Sequence, residues 1–67
     1  MKINEWRNDR GYSYRKLAKI INAGGATTVR RWCLPDGHKD KLIPSPRYMK
    51  MIIDLSNGEV MPNDYFR

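Results

Sequence analysis

Ser13-Tyr14-Arg15-Lys16-Leu17-Ala18-Lys19-Ile20-Ile21, then Asn22-Ala23-Gly24-Gly25, then Ala26-Thr27-Thr28-Val29-Arg30-Arg31-Trp32 has the pattern of two short helices joined by a turn. Ser13 is an N-cap residue by type, because its hydroxyl oxygen can accept an otherwise unpaired N–H of the first helical turn. Tyr12 before it and Leu17 four positions on fit a hydrophobic staple. From Tyr14 to about Ile21 the apolar residues Leu17, Ala18, Ile20 and Ile21 form one stripe, which leaves Arg15, Lys16 and Lys19 on the outer flank. Paired glycines cost helix stability and can adopt positive φ, so the chain turns at Gly24-Gly25. A second short helix follows from Ala26 to about Cys33. Val29 and Trp32, with Cys33, face inward, while Thr27, Arg30 and Arg31 face outward. The β-branched run at 27–29 is a poor helix former, so this helix rests on its apolar spacing.

Outward from this centre, Ile3 and Trp6 lie three apart and Gly11 stops the segment, which predicts a short amphipathic first helix. Downstream, Pro35-Asp36-Gly37 is a turn signal, and the stretch to Ile43 reads as an exposed loop carrying His38, Lys39 and Lys41. The last helix, about 46–57, has Ser45 as N-cap and Pro46 at its first position. Tyr48, Met51, Ile52 and Leu55 recur at helical spacing, and Asn57-Gly58 closes it. The tail 59–67 carries Val60, Met61, Tyr65 and Phe66, too apolar to stand free in water, and packs on the domain or across a dimer interface. The expected architecture is a single all-α domain over 1–67, a compact bundle of four to five helices.

The chain has 67 residues and a formal charge of +6. Residues 1–31 hold eight basic side chains and two acidic ones, whereas residues 32–67 hold five of each. No acid occurs between Arg10 and Arg31, so these residues present a positive face suited to a polyanion. A chain this short buries only about 60% of its unfolded surface and cannot readily enclose a substrate pocket, which argues against an enzyme and a small-molecule substrate. One cysteine, Cys33, makes no internal disulfide, and no N-terminal run has signal-peptide character, which points to the cytoplasm. Apolar runs are too short to span a membrane. Cys33 and His38 lack the further ligands that zinc requires, and Asp36, His38 and Asp40 sit in a loop with nothing to desolvate them as an acid–base group. No metal, cofactor or catalytic residue is assigned. Trp6 and Trp32 read as core rather than as base-stacking platforms, and Lys39 and Lys41 as plain loop.

The blocks Ser13-Tyr14-Arg15-Lys16-Leu17-Ala18-Lys19-Ile20-Ile21 and Thr28-Val29-Arg30-Arg31-Trp32 resemble those of Cro and phage-repressor helix-turn-helix regulators. Pro44-Ser45-Pro46 and the run Asn57 to Phe66 are similar to the end of several short phage-type members. The connection 22–27 is about one residue longer than the family's usual turn. The resemblance implies a helix-turn-helix over about 13–33 that binds double-stranded DNA as a homodimer, with the helix beginning near Gly25 in the major groove. It implies base contacts from Ala26, Thr27 and Arg30, the last as a two-pronged donor to guanine. Phosphate contacts would come from Ser13, Arg15, Lys16, Lys19, Thr28 and Arg31. Tyr48, Met49, Val60, Met61, Tyr65 and Phe66 are the candidate dimer interface. The setting it implies is a repressor or autorepressor in a bacterial cell, on an inverted-repeat operator. Two other readings stand beside it. One is an excisionase-like or architectural factor whose residues 34–44 form a β-wing in the minor groove. The other is an antitoxin or antirepressor acting through its Tyr- and Met-rich C-terminal half.

Overall fold

The computed structural model describes residues 1–65. Four helices follow one another: α1 (Ile3–Arg10), α2 (Tyr14–Ile20), α3 (Ala26–Trp32) and α4 (Pro46–Leu55), with a 3-10 turn at Pro62–Tyr65. No strand occurs among the described residues, so residues 34–44 form no wing. The fold is all-helical among the described residues, with four helices, the lower of the expected counts, and that single 3-10 turn.

Three of the helices stop in the same way. The Tyr12 N–H donates to Arg7 O at 3.0 Å, the Ala23 N–H to Ala18 O at 2.8 Å and the Gly58 N–H to Ile53 O at 2.9 Å. Each bond closes over one left-handed residue and satisfies a carbonyl the helix end would otherwise strand. That residue is Gly11 (φ 74) after α1, Asn22 (φ 56) after α2 and Asn57 (φ 55) after α4. Asparagine tolerates this conformation better than other side chains do. The stop after α2 is therefore Asn22, and Gly24 and Gly25 have no left-handed φ.

At the start of α2 the Ser13 Oγ accepts the Lys16 N–H at 3.0 Å, as its residue type predicts. Ser45 opens α4 without a side-chain cap, and Pro46 takes the first turn. At the start of α1 the Glu5 carboxylate accepts the Lys2 N–H at 3.3 Å.

The core gathers residues from every segment: Ile3 and Trp6 of α1, Leu17 and Ala18 of α2 with Ile21 just after it, Val29 and Trp32 of α3, Ile52 of α4, and Val60 and Tyr65 of the tail. Trp6 is fully buried and meets Tyr12 edge-on at 5.6 Å; Trp32 tilts against Tyr48 at 5.5 Å. Both tryptophans are core, as their spacing indicates. The Trp6 Nε1 and the Tyr65 hydroxyl are buried without a hydrogen-bond partner among the described residues, and burial pushes the Tyr65 phenol well above its ordinary value. Val60 and Tyr65 pack on their own domain, so they offer no surface to a second copy and are corrected from interface to core.

Ser56 is the buried polar side chain that joins the tail to α4. Its hydroxyl donates to Ile53 O at 3.3 Å and accepts the Val60 N–H at 3.1 Å. Ser56→Ala strands that buried N–H, a loss of about 1–3 kcal/mol. Urea unfolding checks it; a loss below about 0.5 kcal/mol would mean the N–H finds another acceptor.

Candidate nucleic-acid interface

The basic side chains divide into two groups by what they touch. Arg7 on α1 is held on all sides: its guanidinium donates to Asn4 Oδ1 at 2.8 Å, Tyr12 O at 2.8 Å and Asn8 Oδ1 at 3.1 Å, and stacks 4.1 Å from the Tyr14 ring centre. It clamps the turn that feeds α2. Arg10 pairs with Glu59 at 2.7 Å. Lys2 pairs with Asp36 at 3.0 Å, and Lys41 approaches the same carboxylate at 3.5 Å. Lys41 also donates to Leu34 O at 2.8 Å and Trp32 O at 3.3 Å, which satisfies carbonyls where α3 ends. These four cations hold the fold together.

The other group lies on α2 and α3. Arg15, Lys19, Arg30 and Arg31 are exposed and make no ion pair among the described residues. Lys16, also exposed, stands 5.7 Å from the Tyr12 ring centre, an approach that leaves its charge unneutralised. At helical spacing Thr27, Arg30 and Arg31 share the outward face of α3, opposite the buried Val29 and Trp32. Lys39, Arg47 and Lys50 also lack an ion-pair partner, but Asp40 adjoins Lys39 and Asp54 lies one turn beyond Lys50.

Between the two helices lies an open cleft of about 470 Å³, lined by Arg15, Ala18 and Lys19 of α2, residues 22–25 of the connection, and Ala26. A Cβ on Gly24 or Gly25 would meet nothing within 4 Å. Packing does not require glycine at either position, and φ at Gly25 is 171, extended backbone open to any residue. The pair leaves bare backbone along a cleft flanked by two unneutralised cations. By residue type the glycines signal a helix stop; their place in the lining of a cleft has no signature in the sequence.

Thr27 is exposed, and Ala26 and Thr28 are half-buried. Ser13 is exposed, and its hydroxyl keeps its own proton to donate while the oxygen caps α2. Tyr48 and Met49 are half-buried against the core, Met61 is 44% exposed, and Phe66 lies outside the described residues. Cys33 is partly buried, and desolvation pushes its thiol above the ordinary value against the opposing pull of Arg7. No helix among the described residues is long and apolar enough to cross a membrane.

No family model matches this chain, and neither a curated protein nor a solved structure does.

Lys2 first, then Lys41, holds the Asp36 carboxyl below its ordinary value. A depressed value means the pair supports the folded state above the ordinary aspartate range, and that support disappears as pH falls through the depressed value. Carboxyl NMR titration should give Asp36 a midpoint below about 3.9, rising toward that value in Lys2→Met. An unchanged midpoint in Lys2→Met would show that the pair does not anchor the loop.

Proposed function

We propose that this chain is a sequence-specific double-stranded DNA-binding regulator of the helix-turn-helix kind, with α2, its connection and α3 as the DNA-facing unit. The observation that carries the reading is the division of cations. The four outside α2 and α3 that hold the fold have acid or carbonyl partners, whereas the five on α2 and α3 have none, and two of these, Arg15 and Lys19, line a cleft with bare backbone. Unneutralised surface cations on adjoining helices repel one another, and a phosphate backbone relieves that repulsion while releasing its counterions.

In this reading α3 enters the major groove, and Arg30 reads a guanine through two parallel N–H donors. Ala26 and Thr27 are short enough to approach base edges. Arg15, Lys16, Lys19, Arg31, Ser13 and Thr28 meet phosphates, which fix register without specifying sequence. A module this small covers few base pairs, so useful affinity calls for two copies on an inverted repeat with half-sites about 34–36 Å apart. In this reading the chain acts by occupying its operator, as a repressor in a bacterial cytoplasm, and does no chemistry of its own. The architectural reading draws no support from residues 34–44, which fold onto the end of α3 through Lys41 and through the Leu42 N–H to Arg31 O bond of 3.2 Å.

Selection of bound duplexes from a random pool, with wild type and two variants, tests the assignment. Wild type should enrich an inverted repeat. Arg30→Ala should relax one base position in each half-site, a loss of about 1–3 kcal/mol in discrimination. Lys19→Ala should weaken every duplex alike and flatten the salt dependence by about 0.9 for each phosphate no longer neutralised. No enrichment by wild type would overturn the reading, and an unaltered consensus with Arg30→Ala would remove Arg30 as the reading residue.

A further inference from the structure

Val60 and Tyr65 lie inside the core, and exposed apolar side chains occur on other segments among the described residues. One patch is a groove of about 400 Å³ where the end of α2 meets α4, lined by Ile20, Ile21, Met51, Asp54 and Leu55. Ile20 is 43% exposed although it belongs to an otherwise buried stripe. Beside the groove, Lys50 and Asp54 lie one helical turn apart on the outer face of α4, both exposed and without an ion-pair partner among the described residues. An apolar strip bordered by one unpaired charge of each sign is a surface that can complement itself.

We propose that this face, α4 with Ile20, is where two copies of the chain associate about a twofold axis. The inference deepens the dimer reading above by giving it a surface, and it does not require DNA. When α4 crosses its copy in antiparallel sense about a point level with Ile52, Lys50 of each copy stands opposite Asp54 of the other. A twofold axis perpendicular to the two helices keeps the same flank of each helix on one side of the seam. Ile20, Met51 and Leu55 from both copies therefore meet there, which makes the interface isologous. The other exposed apolar pair, Leu42 and Ile43, does not serve as well. The Leu42 N–H bond to Arg31 O sets it beside the end of α3, and a twofold interface there would bring the Arg30 and Arg31 charges of both copies together.

A standard interface buries about 800 Å² per partner, nearly a fifth of the 4448 Å² that this protein exposes. One helix face and one isoleucine lie at the small end of that scale, so the dimer forms in a concentration-dependent way, with a dissociation constant on the order of micromolar.

Sedimentation equilibrium across that range tests the face without DNA. Wild type should rise from the 7.9 kDa monomer toward twice that mass. Lys50→Glu or Asp54→Lys alone places like charges across the axis and should shift dimer formation to at least about tenfold higher concentration. The double reversal K50E/D54K should restore it, and Ile20→Glu should leave only monomer. Circular dichroism should be unchanged in all four, because the substituted positions are exposed. A wild type that stays monomeric, single reversals that change nothing, or a double reversal that fails to recover would each overturn the proposal. Binding of one half-site duplex by monomeric Ile20→Glu keeps the two readings apart, since it reports on the DNA face alone.

Discussion

Two indole rings have to be kept from water by a chain of 67 residues, and the rest of the structure follows from that constraint. A domain this small has little interior, and each tryptophan is among the largest surfaces it can bury. No single helix covers them. Trp6 is closed by Tyr12 and Trp32 by Tyr48, while the shared core draws on all four helices and on the tail through Val60 and Tyr65. The tail is accordingly part of the fold, joined to α4 through the Ser56 hydroxyl.

Covering the core also sorts the charges. Lys2, Arg7, Arg10 and Lys41 stand where segments meet and need fastening, and each finds a carboxylate, amide oxygen or carbonyl. The cations of α2 and α3 stand opposite the buried stripes Leu17/Ala18 and Val29/Trp32, on surfaces that the core does not need. The segment between Arg10 and Arg31 offers them no acid, so their charge stays directed at solvent. The same folding requirement that fixes these helices thus leaves unneutralised cations on the outer sides of α2 and α3 and, around the end of α2 on α4, an apolar groove.

Much of this is legible in the sequence because local chemistry decides it. Ser13 caps α2, Pro46 opens α4, and the spacing of Leu17, Val29, Trp32 and Ile52 gives the buried faces. What is not legible depends on groups distant in the chain. That Asn22 rather than the glycine pair ends α2 follows from the Ala23 to Ala18 bond, and periodicity carries no sign of it. The occupation of Arg7 and Lys41 requires knowing that Tyr12 O and Leu34 O lie within reach. The fate of Val60 and Tyr65 is open in the sequence for a similar reason: an apolar tail reads alike whether it covers its own core or a partner's. Of the candidate DNA residues, spacing correctly marks Thr27, Arg30 and Arg31 as outward, but the cleft lined by Gly24 and Gly25 emerges only when α2 and α3 are brought together.

In the proposed function the unneutralised cations of α2 and α3 are what meets DNA. Backbone amide shifts recorded while duplex DNA is titrated into the labelled protein test it most directly. Changes should concentrate at Ser13–Lys19, at residues 22–25 and along α3, with α1 and the outer face of α4 little moved. Changes centred on α4 and the tail, or none at salt low enough for phosphate contacts to form, would contradict it.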